Sequence, residues 1–267
     1  MQKINIFLAI VFSGMSVSAQ SINLPVGKKL SVITETKLAS FTTVMGNQMD
    51  IDNTSTNIAD YEVKAVSNTG YRMNMTLKRL KTYVSVSGNE QSFDTDDESA
   101  RNNPQYAELF KELNKPNEVE IGAGGVTSNS DVFLKATRMG IPANATDQAK
   151  YILMQKDLNR LAQGKQWSDS TNSEGNHIIS EYLVSKADDT TAEVLVKTEL
   201  HVNTNLKEFG MDVKQIMQGT VNAKRLYNRL TGQLLKEDSE MVISGSMEMM
   251  GQSSPLNIKG KTTTTVN

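Results

Sequence analysis

Apolar and polar positions alternate along most of this chain, a pattern typical of strands that bury one face. In the clearest run, residues 71–78, tyrosine, methionine and leucine alternate with arginine, asparagine, threonine and lysine. A further strand is expected over residues 82–86. Polar turn sequences separate such runs, as at residues 67–70 (Ser-Asn-Thr-Gly) and 188–191 (Asp-Asp-Thr-Thr). The sequence therefore predicts two antiparallel meanders, over residues 24–100 and 164–267.

Two segments between the meanders depart from this alternation. Residues 104–114 follow Asn103 with a proline at the first helical position, and their apolar residues have helical spacing. Residues 147–163 have a broad apolar face and are followed by Gly164. With a hairpin between them, these helices form an insert over residues 103–163. The predicted fold is mainly β (α+β): a curved antiparallel sheet or open barrel, with two central helices packed on the sheet.

The two meanders also resemble each other. Tyr61 and Val63 are spaced as Tyr182 and Val184 are, and each pair precedes a polar turn and an alternating strand. Alternating sequences resemble one another in any case, so an internal duplication and a chance likeness both remain open.

The first nineteen residues predict export. Lys3 precedes the apolar run of residues 6–12, and Val17 and Ala19 suit a cleavage site after Ala19. The alternative is a membrane anchor, but the run is shorter than the roughly 20 residues of a spanning helix. Without cysteine, the chain cannot carry a lipoprotein anchor. We expect a signal peptide at residues 1–19 and one β-rich domain at residues 20–267. The mature chain is expected to be periplasmic or secreted, with no transmembrane segment.

Charge and residue types exclude more functions than they indicate. The formal net charge is −2, which gives no basic surface for nucleic acid. His177 and His201 lack a metal-ligand spacing, and the acidic run at residues 94–98 lacks the glycine of a calcium loop. We therefore predict no catalytic residue, no metal and no cofactor, and we expect that the protein is not an enzyme.

The apolar residues include 14 methionines, against 6% aromatic residues. Methionine adapts to ligands of variable shape, so some of these side chains could line a cavity for a lipid or another apolar molecule. An ordinary core is the alternative. The candidate ligand-lining residues are Tyr71, Met73, Met75, Leu153, Val194 and Val196. The predicted function is non-catalytic binding of a hydrophobic ligand; the alternative is an envelope structural or protein-interaction module with a filled core.

Several short motifs carry a resemblance to known proteins: Phe93-Asp94-Thr95, Asn103-Pro104, Glu118-x-Glu120-Ile121, Gly125-Val126, Gly164-Lys165-Gln166-Trp167 and Leu230-Thr231-Gly232. In these motifs the chain resembles a group of uncharacterised exported bacterial proteins of about this length. The resemblance implies paired meanders around a helical insert, and at the level of fold it is similar to the open-barrel lipoprotein carriers of the periplasm.

Overall fold

Long β-strands make up most of the protein. The computed structural model describes residues 24–44, 47–67, 70–122, 125–126, 158–173, 175–208, 211–249 and 251–267. The strands are β1 (Lys29–Val44), β2 (Asn47–Ser67), β3 (Gly70–Val86), β4 (Asn89–Asp94), β5 (Pro116–Gly122), β6 (Gly125–Val126), β7 (Gln166–Ser173), β8 (Asn176–Ala187), β9 (Thr191–Glu208), β10 (Met211–Asn228), β11 (Leu234–Met249) and β12 (Gln252–Val266).

All of these strands belong to one 12-stranded sheet. Its order is β6-β5-β3-β2-β1-β12-β11-β10-β9-β8-β7, and β4 pairs with β3 beside β5. The first and last long strands, β1 and β12, are antiparallel neighbours and join the two meanders into one surface. Within the described residues the sheet is open, with β6 and β7 at its edges. The predicted antiparallel sheet is thus confirmed.

The strand register separates an inner face from an outer face. Because side chains alternate along a strand, each row of partners across the sheet shares one face. One such row joins Met75, Tyr61, and Leu30, all nearly inaccessible to solvent. We call this side the inner face. Its larger apolar cluster, cluster 1, includes Leu30, Val32, Tyr61, Val63, Met73, Met75, Leu77, Leu80, Leu109, Leu161, Tyr182, Val184, Val194, Val196, Tyr227, Leu234 and Val266.

The prediction of two central helices packed on the sheet is wrong. The described α-helices are short: α1 spans Glu98–Arg101, and α2 spans Ala107–Glu112 after a 3-10 turn at Pro104–Tyr106. The helix predicted to end at residue 114 stops early because the Asn114 N–H donates to the Leu77 carbonyl, 2.9 Å away, and the chain then enters β5. In the second predicted helix, residues 147–157 lie outside the described residues, and Leu158–Leu161 form a 3-10 turn.

The two meanders share detailed backbone geometry. In the first, the Gly27 N–H donates to the Val63 carbonyl and the Val63 N–H donates to the Lys28 carbonyl. In the second, Gly164, Val184 and Lys165 make the same two bonds. A register shift follows Val63 in one unit and Val184 in the other. The similarity that the sequence suggests therefore extends to a common turn and a common β-bulge.

The turn between β8 and β9 provides a test of stability against pH. The Asp188 carboxylate accepts the N–H groups of Thr190 and Thr191 at 2.8 and 2.7 Å and also both hydroxyls, and these bonds hold the pKa of Asp188 well below its usual range. The resulting stability is present above the unfolded pKa of about 3.9 and is lost as pH falls through the folded pKa.

We therefore expect Asp188→Asn to lower the unfolding midpoint at neutral pH and to flatten the loss of stability on acidification, as measured by urea unfolding from about pH 5 to pH 2. Asp189→Asn, at the exposed neighbouring position, is the matched control. Identical acid slopes for Asp188→Asn and the unaltered protein would contradict this interpretation.

Candidate functional site

A second apolar region crosses the inner face beyond cluster 1. Its residues occupy three neighbouring rows that run from β8 to β1. Six side chains are at most 5% exposed, and four partly buried side chains pack against them. We call these ten residues the inner strip: Leu38, Ile178, Leu200, Val202, Met217, Val221, Met241, Ile243, Leu256 and Ile258.

The inner strip is long enough for an extended apolar molecule. It crosses six strands, and the usual spacing between neighbouring strands of about 4.8 Å makes it roughly 24 Å long. At its border with the polar band, Gly260 on β12 lies between Leu38 and Met241 in the same row. A Cβ atom on Gly260 would lie 2.5 Å from Leu38 Cδ2 and 3.0 Å from Met241 Cγ. The absence of a side chain there lets these two partly exposed residues approach each other.

A polar band separates the inner strip from cluster 1. In one row, the hydroxyls of Thr36 and Thr262 lie 3.3 Å apart; in the next, those of Thr34 and Thr264 lie 3.4 Å apart. The hydroxyl of Ser239 donates to the Thr262 carbonyl at 3.4 Å. These groups are half-buried or buried. The inner face therefore has an apolar end, a polar middle and a second apolar surface.

The polar band includes a buried ion pair. Arg225 and Glu237 are cross-strand partners, and Arg225 Nε lies 2.5 Å from Glu237 Oε2. The Glu237 side chain is 2% exposed. Arg225 also hydrogen-bonds Tyr227, whose phenol pKa is raised by burial. Because the two charges neutralise each other, the band is polar without a net charge.

Several buried polar atoms on this side of the sheet have no hydrogen-bond partner within the described chain. They are Thr42 Oγ1, Asn57 Oδ1, Tyr61 Oη and Trp167 Nε1. Burial raises the pKa of the Tyr61 phenol, which therefore remains protonated. Buried groups of this kind normally bond protein or ordered water. They add hydrogen-bonding capacity to an otherwise apolar interior.

The structure brings most of the predicted ligand-lining residues together. Tyr71, Met73, Met75, Val194 and Val196 all belong to cluster 1 and are at most 7% exposed. Leu153 lies outside the described residues. Contact between the predicted ligand-lining residues and a ligand stays a prediction. The inner strip was not predicted from the sequence, although all of its residues lie within the two predicted meanders.

An open groove of about 1050 Å³ runs across β7 to β12. Three adjacent rows line it. Two are outward-facing, and the row between them runs from Trp167 to Thr262 and includes the predicted ligand-lining residue Val196. Leu183 and Leu195 are its exposed apolar residues, and its charges include the ion pair between Lys261 and Glu240 at 2.6 Å. Mixed, paired charges are typical of a solvated surface. We therefore place the candidate ligand surface on the inner strip.

An aromatic stack lies at the edge of cluster 1. The rings of Trp167 and Tyr182 are stacked with centroids 4.8 Å apart, and the Arg160 guanidinium carbon lies 5.7 Å from the centre of the Trp167 ring. Burial raises the pKa of Asp169, against the opposing effect of Arg160. Asp169 is the inward-facing partner of Ser180 on the edge strand β7. An inward-facing charge on an edge strand disfavours the addition of another strand.

The outer face carries both histidines. His177 and His201 are direct partners on β8 and β9. Within the described ranges, no group of three or more histidine, aspartate or glutamate side chains could hold a metal ion. The described helices include none that is both long enough and apolar enough to cross a membrane.

Comparison with known proteins indicates the fold alone. No protein-family model matches the sequence, and no curated protein does. The structure is similar to lipovitellin, in a solved structure that concerns lipid–protein interactions, with a TM-score of 0.52 and 9% identity. The match covers 91% of this chain and 25% of that chain, so this chain spans about a quarter of the length of lipovitellin. At this identity the likeness concerns the fold alone.

Membrane channels also match, at lower scores. An outer membrane channel from Pseudomonas putida F1 has a TM-score of 0.27 and 10% identity, covering 91% of this chain and 97% of that chain. OmpF of Salmonella typhi in complex with daunomycin has a TM-score of 0.22 and 10% identity, covering 89% and 98%. These TM-scores are too low to indicate a shared fold. The likeness to open-barrel lipoprotein carriers stays a prediction.

Proposed function

We propose that this protein is an exported, non-catalytic protein that holds a lipid-like molecule on the inner face of its sheet. The observation that carries the proposal is the inner strip, in which ten apolar side chains from six strands form one surface. Six of these side chains are buried and four stay partly exposed, so the strip provides a contiguous apolar lining that an apolar molecule could contact through its partly exposed members. Residues 1–19 are the basis for export.

The polar band indicates which kind of lipid fits best. A molecule with one apolar chain and one polar end could lie along the inner strip and direct its polar group toward the hydroxyls of Thr36 and Thr262. The charges of Arg225 and Glu237 already neutralise each other. A neutral or weakly polar end group therefore suits the band better than a highly charged one.

The likeness to lipovitellin supports this proposal through the shape of the sheet. That structure concerns lipid–protein interactions, and the match covers 91% of the present chain. A large open sheet can bury an apolar molecule against one face while the other face stays in water. The outer face here has the mixed charges expected of a solvated surface.

Two adjacent residues on β11 allow a matched test with a fluorescent long-chain fatty acid. Met241 is part of the inner strip, whereas Val242 faces outward and is 53% exposed. We expect Met241→Gln to weaken binding about five- to tenfold, the loss of roughly 1 kcal/mol of apolar contact. Val242→Gln should change binding less than about twofold, since exposed substitutions away from the site have small effects.

Saturable binding that is insensitive to Met241→Gln would exclude the inner strip as the ligand surface. If the unaltered protein binds no probe at all, the lipid proposal fails, and the envelope interaction module with a filled core takes its place. The complete burial of Met73 and Leu80 in cluster 1 is compatible with that alternative. Both variants should first show the same thermal unfolding midpoint as the unaltered protein, to within a few degrees.

A further inference from the structure

Both histidines of the chain lie side by side on the outer face of the sheet. They are separated in sequence, but the β8–β9 register makes His177 and His201 direct partners. Their neighbours Ile178 and Leu200 belong to the inner strip, so the histidines face the other way. Directly opposed residues have Cβ atoms about 4.5–5.5 Å apart. Two imidazoles at this separation can reach one metal ion, which each would bind at about 2.0–2.1 Å.

A neighbouring side chain orients one of the two rings. Asn172, the partner of His177 on β7, accepts a hydrogen bond from His177 Nδ1 through its Oδ1 atom. An amide oxygen can only accept, so Nδ1 carries the proton and Nε2 keeps its lone pair. Histidines that bind metal commonly donate their second ring N–H to an oxygen in this way, which fixes the tautomer and the ring orientation. His177 Nε2 is therefore available as a ligand atom, and Asn172 is the hydrogen-bond partner that orients this histidine.

We propose that His177 and His201 form a surface site for a late first-row divalent ion, with Cu²⁺ bound more tightly than Zn²⁺. Imidazole nitrogen suits both ions, and affinities for nitrogen ligands rise to Cu²⁺ in this series. Water would fill the remaining positions, since the described chain provides no group of three acidic or histidine ligands. The site lies on the face opposite the inner strip and is independent of lipid binding.

The test is isothermal titration calorimetry of CuCl₂ and ZnCl₂ into tag-free mature protein. The unaltered protein should bind one Cu²⁺ ion per chain, with Zn²⁺ binding more weakly. His177→Ala and His201→Ala should each reduce the affinity well over tenfold, and Asn172→Ala, which keeps both histidines, should reduce it by only about tenfold. All three positions are on the surface, so the unfolding midpoint in EDTA should not change.

Loss of affinity in both histidine variants, with a smaller loss in Asn172→Ala, would support the site. Binding that is unchanged in His177→Ala or His201→Ala would overturn it and would indicate a ligand elsewhere, such as the terminal amine. Absence of saturable Cu²⁺ binding by the unaltered protein would also overturn it. A stabilisation by Cu²⁺ that disappears in both variants gives a second readout, because an ion that binds only the folded state raises its stability.

Discussion

Replacing Met73 with alanine is expected to lower the free energy of unfolding by about 2–5 kcal/mol. Met73 is fully buried in cluster 1, at the partner position of Val63 and next to Val119 on β5. The shortened side chain would leave a cavity in a region packed from both meanders, and neighbouring strands cannot close it without breaking their pairing. Chemical denaturation of the unaltered and variant proteins measures the difference.

The neighbouring residue on β3 provides the control. Arg72 faces outward, and its Nε lies 3.8 Å from Glu118 Oε2 with both side chains about half exposed. Arg72→Ala should cost less than about 1 kcal/mol, as exposed ion pairs contribute little. Equal effects of Met73→Ala and Arg72→Ala would contradict the assignment of inner and outer faces on this strand.

Replacing Arg225 with methionine is expected to cost about 3–5 kcal/mol at neutral pH. The change leaves the Glu237 carboxylate, 2% exposed, without its cationic partner in the polar band. A buried carboxylate without a cationic partner costs stability, because its lost hydration is no longer offset.

A double variant tests whether the unpaired Glu237 carboxylate is the source of this cost. Arg225→Met with Glu237→Met removes both charges and retains side-chain volume, and such replacements are often neutral or stabilising. We therefore expect the double variant to unfold at a higher denaturant concentration than Arg225→Met alone. A double variant that is no more stable than the single one would show that the carboxylate is not the source of the cost.

The alternation of apolar residues predicts the antiparallel sheet, whereas the predicted fold class, with two central helices packed on that sheet, is wrong. Strands were expected at residues 71–78 and 82–86, and the structure has one continuous strand, β3, over both. A register shift opposite Ile58 and Ala59 interrupts the period of two, so Leu77 and Leu80 are both buried although three positions separate them. Alternation alone does not reveal a bulge, because the extra residue exchanges the two faces.

In the helical insert, local signals predict more helix than the structure contains. Pro104 and the apolar spacing after it are good local signals, but α2 ends where Asn114 bonds to a strand that is distant in sequence. A contact of this kind depends on tertiary structure and leaves no local signature. The same reason explains why the histidine pair was missed: its proximity depends on the β8–β9 register, including the shift after Val184.

The sequence predicts an apolar ligand surface on alternating strands, but it does not predict the position of the inner strip. Met73 and Met75, two of the predicted ligand-lining residues, are fully buried in cluster 1. Val221 and Met241, which are partly exposed members of the inner strip, lie on strands that alternate as the strand of Met73 and Met75 does. Which stretch of a strand stays partly exposed depends on what packs over it, and this information is not in the pattern of one strand.

The most direct test of the account is mass spectrometry of an organic extract from mature protein purified without detergent from the cells that produce it. We predict a lipid-like molecule in stoichiometric amount, depleted when the same extraction is applied to Met241→Gln and retained in Val242→Gln. A clean extract from the unaltered protein, still clean after incubation with long-chain fatty acids and phospholipids, would contradict lipid binding on the inner face.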